Sequence, residues 1–100
     1  MATIIIESLW PATSAEQIGK TWLEMKSLPD WLVMLWAGTR SEVNMGSRGL
    51  VIFQCYKDKI RDGLELIRED MARYLKIPGY SFSINLWAEA KDALKMVGMA

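Results

Sequence analysis

A run of seven consecutive apolar residues, Trp31 to Ala37, constrains the fold of this chain more than any other segment. A run of this length suits a strand and is far too short to cross a membrane as a helix. Successive side chains of a strand point to opposite faces of the sheet, so a strand that is apolar throughout is covered on both faces. A chain of 100 residues rarely has enough helix for two faces. We therefore expect a second copy of the chain to supply the second cover.

The composition is that of a single globular domain spanning residues 1–100. Apolar residues make up 51% of the chain and charged residues 24%, which is too hydrophobic for a disordered protein. The formal net charge is zero and basic side chains alternate with acidic ones, so the positive stripe typical of nucleic-acid-binding proteins is missing. The same balance gives no reason to expect a membrane surface as a partner.

Two residue counts exclude whole classes of active site. The sequence has no His, which excludes Ser-His-Asp and Cys-His catalysis and the usual imidazole metal sites. Cys55 is the single cysteine, so the chain has no intrachain disulfide and no CxxC motif, and we expect a buried, inert thiol. We expect neither a metal nor a cofactor. The first residues lack the basic and apolar regions of a secretory signal, which favours a cytoplasmic protein.

Hydrophobic periodicity and turn residues predict the element order β-α-β-β-α-β-α. Capping-box pairs that begin at Thr13 and Ser14 mark the start of the first helix, and Pro29 ends it. The predicted strands span residues 3–10, 31–40, 50–56 and 80–87. The predicted helices run from the capping boxes to about residue 28, over 58–75 and over 88–97.

Strand–helix–strand units favour right-handed crossovers, which place both long helices on one face of a single sheet. We therefore expect an α+β fold, a ferredoxin-like βαββαβ sheet with an additional C-terminal helix. Another two-layer α+β fold with a different strand order is the alternative. The second and third strands are apolar on both sides, so we expect the face without helices to form a sheet-to-sheet homodimer. A third helix folded back over that face is the alternative cover.

Four polar residues interrupt the apolar strands. If the wholly apolar sides pack on the helices, these residues all point to the opposite face: Glu7, Gln54, Ser83 and Asn85. Glu7 is the catalytic candidate, because a carboxylate on an apolar strand can act as a general base. The simpler interpretation of Glu7 is an acid that reaches solvent or a basic side chain at the strand edge. The other three are candidates for ligand binding.

Trp36 is a further ligand-binding candidate. Five Trp residues in 100 offer flat apolar surfaces on which an organic ligand can stack, although core or interface packing is the simpler interpretation. Strict alternation along the second strand places Trp36 on the same side as Leu32 and Met34, with Val33 and Leu35 on the other.

The element order, the chain length, the Trp-rich apolar strands and the need for a second sheet resemble the dimeric α/β-barrel group of ferredoxin-like proteins. The resemblance covers nearly the whole chain and rests on pattern, without a diagnostic motif. It implies a pocket between the sheet and the helices of each protomer, near the dimer seam. Members include cofactor-free monooxygenases, isomerases and haem-degrading oxygenases. The haem-degrading members use a histidine ligand, which this chain lacks.

Two functions are consistent with this pattern. The first is binding or transformation of a small apolar or aromatic molecule without a metal, which predicts an enclosed pocket with convergent polar groups. The alternative is a non-enzymatic self-association or regulatory protein-interaction module, which predicts a filled interface without such a pocket. The residues leave open whether the chain is an enzyme.

Overall fold

The computed structural model describes residues 1–99, in which an open sheet of four antiparallel strands is combined with three α-helices. This confirms the α+β class and the predicted order of elements. The strands are β1 (Ala2–Trp10), β2 (Leu32–Glu42), β3 (Gly46–Cys55) and β4 (Ser81–Trp87). The helices are α1 (Ala15–Leu23), α2 (Ile60–Ala72) and α3 (Ala90–Met96), and short 3-10 turns precede α1 and α2. No described helix is long and apolar enough to cross a membrane.

The first helix is shorter than predicted. It ends at Leu23 rather than near Leu28, and the chain continues as an irregular segment to Pro29. Met25 and Leu28 keep the inward positions that their spacing suggests, since Leu28 packs against the core and Met25 is half-buried. Their spacing fitted a helix, but an irregular segment brings them to the same place.

The second and third strands are longer than predicted and form a hairpin. The sequence suggested a polar connection over 41–48, whereas β2 continues to Glu42 and β3 begins at Gly46. Asn44 and Gly46 adopt positive φ angles of 63° and 88°, which allow the tight reversal. Glu42 joins the two strands, because its Oε1 lies 2.8 Å from Arg40 Nη2 and accepts a hydrogen bond from Arg48 Nε at 2.9 Å.

The strand order is β2-β3-β1-β4, and every neighbouring pair is antiparallel. Helices pack on one face of this sheet, called the covered face below. Ile18 of α1 and Ile67 and Met71 of α2 join one core cluster with side chains of this face. The core residues contributed by the strands are Ala2, Ile4, Ile6, Trp10, Leu32, Phe53 and Cys55.

The other side of the sheet, called the open face, carries residues that align in cross-strand rows. Apolar side chains at the centre of this face (Ile5, Leu50 and Ile52) have polar neighbours on the same strands, and β4 adds Ser81, Ser83 and Asn85 at one margin. From β2 to β4 the rows are Val33–Gln54–Thr3–Trp87, Trp36–Ile52–Ile5–Asn85, Gly38–Leu50–Glu7–Ser83 and Arg40–Arg48–Leu9–Ser81.

The predicted side of Trp36 is wrong because β2 contains a bulge. The pairing of β2 with β3 shifts between Met34 and Trp36, so Leu35 is an extra residue in the ladder. Met34 therefore stays on the covered face, opposite Phe53, whereas Trp36 crosses to the open face opposite Ile52. One inserted residue reverses the alternation for the rest of the strand.

The third helix does not cover the open face. Lys57 Nζ, beyond the end of β3, holds Asp92 Oδ2 of α3 at 3.1 Å. The apolar side chains of α3 are themselves exposed, with Met96 at 82% and Leu94 at 41%. The open face therefore lacks a cover within the described part of the chain.

Candidate functional site

A cleft of about 470 Å³ lies between the covered face and the helices, and we call it the sheet–helix cleft. This volume lies within the range of roughly 300–1,000 Å³ found for small-molecule sites. Its floor is built from covered-face positions of β1, β2 and β3, and its walls come from α1, from α2 and from the segment between α2 and β4.

Aromatic rings dominate one wall of the cleft. Tyr80 stacks on Trp10 with 6.0 Å between ring centroids and on Tyr74 with 5.0 Å. Phe53 contributes to the floor, and Trp22 of α1 lines the cleft while remaining partly exposed. These rings give the cleft an apolar, weakly polar lining that is suited to an aromatic ligand.

Two glycines shape the cleft. A Cβ at Gly49 would lie 2.6 Å from Ser8 Oγ and 2.8 Å from the Trp10 ring, so the missing side chain lets both residues pack against β3. A Cβ at Gly19 of α1 would meet nothing within 4 Å, so this position borders open space. Both glycines line the cleft, but only Gly19 leaves room that a larger residue would fill.

Few polar side chains reach the cleft. Ser8, Thr39 and Ser47 supply hydroxyl groups, and Asp70 supplies the one carboxylate among its lining residues. Asp70 Oδ1 accepts hydrogen bonds from Arg73 Nη2 at 2.6 Å and from Arg73 Nε at 3.1 Å. Arg73 Nη1 also donates to the Thr21 carbonyl at 2.9 Å, which ties the end of α2 to α1.

Burial raises the pKa of both tyrosines of the cleft. It raises the pKa of Tyr74 to about 12, with the nearby Asp70 carboxylate adding to the shift. Burial also raises the pKa of Tyr80, and hydrogen bonding with Ser8 opposes part of that shift. Both phenols are therefore neutral near pH 7 and available as hydrogen-bond donors.

A smaller cavity of about 180 Å³ adjoins the sheet–helix cleft. The segment 24–29 and α2 form its walls, and Met25, Phe53 and Asp70 border both cavities. Unlike the larger cleft, it is lined by several charged side chains, which include Lys26, Glu69 and Arg73.

The residues predicted from the sequence as a site lie on the open face, away from both cavities. Glu7 and Ser83 face each other across β1 and β4, and Asn85 Nδ2 donates to Ser83 Oγ at 3.1 Å, so these three residues come together. Gln54 lies in another row, opposite Thr3 on β1, and Trp36 lies opposite Ile52 at the far margin. The five predicted residues therefore share the open face, and three of them, Glu7, Ser83 and Asn85, are direct neighbours on it.

Glu7 is exposed on the open face, in line with the simpler interpretation of this carboxylate. Its cross-strand neighbours are Leu50 and Ser83. Within residues 1–99, no group of three or more Cys, Asp or Glu side chains could hold a metal ion.

Sequence reasoning missed the residues that build the cleft. Ser8 gave a signal, because it is the one polar residue on the otherwise apolar side of β1 that holds Ile4, Ile6 and Trp10. Tyr74 and Tyr80 gave none, since their ring stack depends on the path of the chain between α2 and β4. The sequence matches no protein-family model and no curated protein.

Proposed function

We propose that this chain is a dimeric α/β-barrel protein of ferredoxin-like fold that binds a small aromatic molecule in the sheet–helix cleft. The observation that carries the proposal is the cleft of about 470 Å³ with its stacked Trp10–Tyr80–Tyr74 wall. The strand order β2-β3-β1-β4 supports the fold assignment. This order arises when two βαβ units interleave, so that one strand of each unit lies between the two strands of the other. The cleft also lies between sheet and helices, where the resemblance implies a pocket.

Binding is favoured over catalysis by the chemistry of the lining. Asp70 is the one carboxylate of the cleft, and its Oδ1 is already engaged by two nitrogens of Arg73. No second carboxylate and no Lys lies among the described lining residues to work with Asp70 as an acid–base pair. Aromatic surfaces with a few hydroxyl groups are typical of sites that hold a ligand by shape and stacking.

The homodimer is proposed through the open face. Trp36 and Trp87 are each 54% exposed at opposite margins of this face, and Ile5, Leu50 and Ile52 lie between them. The radius of gyration of 15.2 Å exceeds the value of about 13 Å expected for a compact domain of this length. Packing two open faces about a two-fold axis would cover this apolar surface and give each sheet its second layer.

The binding proposal is tested with N-phenyl-1-naphthylamine, a neutral probe that fluoresces in apolar surroundings. We expect saturable fluorescence with energy transfer from Trp10 and Trp22, which line the cleft. Gly19→Leu should abolish it, because the new side chain enters the open space beside Gly19. Gln17→Leu adds the same side chain to an exposed α1 position that does not line the cleft, and it should bind the probe normally. Equal binding by both variants would place the probe elsewhere and contradict the proposal.

The exposed Trp residues of the open face favour a second candidate, a self-association module without a ligand. This candidate predicts a stable dimer in which the probe shows no saturable binding. Because both candidates predict a dimer, the probe titration distinguishes them, and the sedimentation measurement described in the Discussion tests the dimer that they share.

A further inference from the structure

The charges around the sheet–helix cleft restrict the ligands it can take, an inference that rests on the binding function proposed above. Neither Lys nor Arg is found among the described residues that line the cleft. Arg73 lines only the adjoining cavity, and its guanidinium is bound to Asp70 and to the Thr21 carbonyl. A ligand carboxylate in the cleft would therefore find no positive partner among these side chains.

The one acidic side chain among the described lining residues carries a charge of the same sign as a ligand carboxylate. Asp70 is partly buried, and both Arg73 contacts, at 2.6 and 3.1 Å, are made to its Oδ1. Placing a second negative charge nearby costs free energy, because two anions in a poorly solvated site repel each other. Removing an unpaired carboxylate from water adds a desolvation cost.

The hydroxyl groups of the cleft can donate hydrogen bonds to a ligand that carries an acceptor. Ser8 and Tyr80 both line the cleft, and Tyr80 stacks on the Trp10 ring at the end of β1. The Tyr80 phenol stays protonated across the neutral range, so it is a donor to a ligand oxygen. A flat ring stacked along the aromatic wall would bring a substituent oxygen toward these groups.

We infer that the sheet–helix cleft selects neutral, planar aromatic molecules that carry a hydrogen-bond acceptor and discriminates against the same ring bearing a carboxylate. The aromatic lining and its hydroxyl donors suit the neutral ligand. The discrimination against a carboxylate comes from one acidic side chain and no basic one among the described lining residues.

Two probes with the same ring system test this selectivity. Naphthalene-2-carboxamide is neutral, and naphthalene-2-carboxylate is anionic at neutral pH. We expect isothermal titration calorimetry at low salt to give a dissociation constant at least tenfold lower for the carboxamide. The Gly19→Leu variant should lose carboxamide binding while Gln17→Leu retains it, which locates the bound probe in the cleft.

The role of Asp70 is tested with a pair of charge-neutralising variants. Asp70→Asn removes the carboxylate from the cleft. It should reduce the ratio of the two dissociation constants, carboxylate over carboxamide, several-fold. Glu69→Gln makes the same change of net charge at the next position, which is exposed and does not line the cleft, and it should leave the preference unchanged.

The outcomes separate this inference from the function on which it rests. If neither probe binds the wild-type chain, the binding function fails and the inference fails with it. If both probes bind equally well and both are lost in Gly19→Leu, the cleft binds aromatic ligands and only the charge selectivity is wrong. A preference that is unchanged in Asp70→Asn would overturn the role of that carboxylate.

Discussion

The rings of Tyr74 and Tyr80 stack with their centroids 5.0 Å apart and their planes 24° apart. Tyr74 follows α2 and Tyr80 precedes β4, so the contact closes the connection between these two elements. Trp10, at the end of β1, extends the stack on the other side of Tyr80 at 6.0 Å. The aromatic wall of the cleft therefore depends on residues from opposite ends of the chain, and its geometry is a property of the folded state.

Alkaline pH is expected to destabilise the fold through Tyr74, whose pKa burial raises from 10 to about 12. The pKa of Tyr74 is higher in the folded chain than in the unfolded chain. Its contribution to the free energy of unfolding is therefore complete below about pH 10 and is lost as the pH rises towards 12. A shift of this size corresponds to roughly 3 kcal/mol. Urea unfolding measured at alkaline pH values should show this loss.

The Tyr74→Phe variant distinguishes this effect from the titration of other groups. It should lose less stability between about pH 10 and 12 than the wild type does, because it has no phenol to ionise at this position. Tyr56→Phe is the matched control, since Tyr56 is 54% exposed and lies outside the core. Identical pH dependence in wild type and Tyr74→Phe would show that Tyr74 is not responsible.

Alanine at the two cleft glycines is expected to change stability in opposite directions. Gly49→Ala places a methyl group 2.6 Å from Ser8 Oγ and 2.8 Å from the Trp10 ring, which should cost about 1–3 kcal/mol. Gly19→Ala meets nothing within 4 Å and adds a better helix former to α1, so it should stabilise the chain by about 0.5–1 kcal/mol. Chemical denaturation measures both, and a stabilising Gly49→Ala would refute the close packing at β3.

The Ile5→Lys substitution is expected to yield a monomer. Ile5 lies in the interior of the open face, between Ile52 and Asn85, so a charge there would be buried in the proposed dimer. Sedimentation velocity should show a dimer for the wild type and a monomer for Ile5→Lys, with unchanged circular dichroism. Ser81→Lys, at the polar margin formed by β4, should remain dimeric. A wild-type chain that sediments as a monomer at micromolar concentration would remove the dimer proposal.

Thiol reagents are expected to modify Cys55 only when the chain unfolds. Its side chain is fully buried in the core, and burial raises the pKa of the thiol, so the reactive thiolate is scarce and inaccessible. Labelling followed by mass spectrometry should be slow in buffer and fast in concentrated urea. A second cysteine introduced by Ser41→Cys, at an exposed position of the hairpin, should be labelled rapidly in the folded state. Equally rapid labelling of Cys55 in buffer would contradict its burial.

Local pattern was sufficient to predict the elements but not all of their limits. The spacing of Ile18 and Trp22 in α1 and of Ile67 and Met71 in α2 indicates helices that the structure contains. The same spacing suggested helix as far as Leu28, where the chain is irregular. Residues can reach a core from a loop as well as from a helix, so apolar spacing alone does not locate a helix end.

The sequence by itself determined the order of the elements and the faces of β1, β3 and β4, because side-chain alternation in a regular strand is a local property. Only the tertiary structure decided the side of Trp36, since the bulge at Leu35 arises from the pairing of β2 with β3. The sheet–helix cleft also exists only in the tertiary structure. Ser8, Gly19 and Tyr80 lie far apart along the chain, and they meet at one cleft because the helices pack on the covered face.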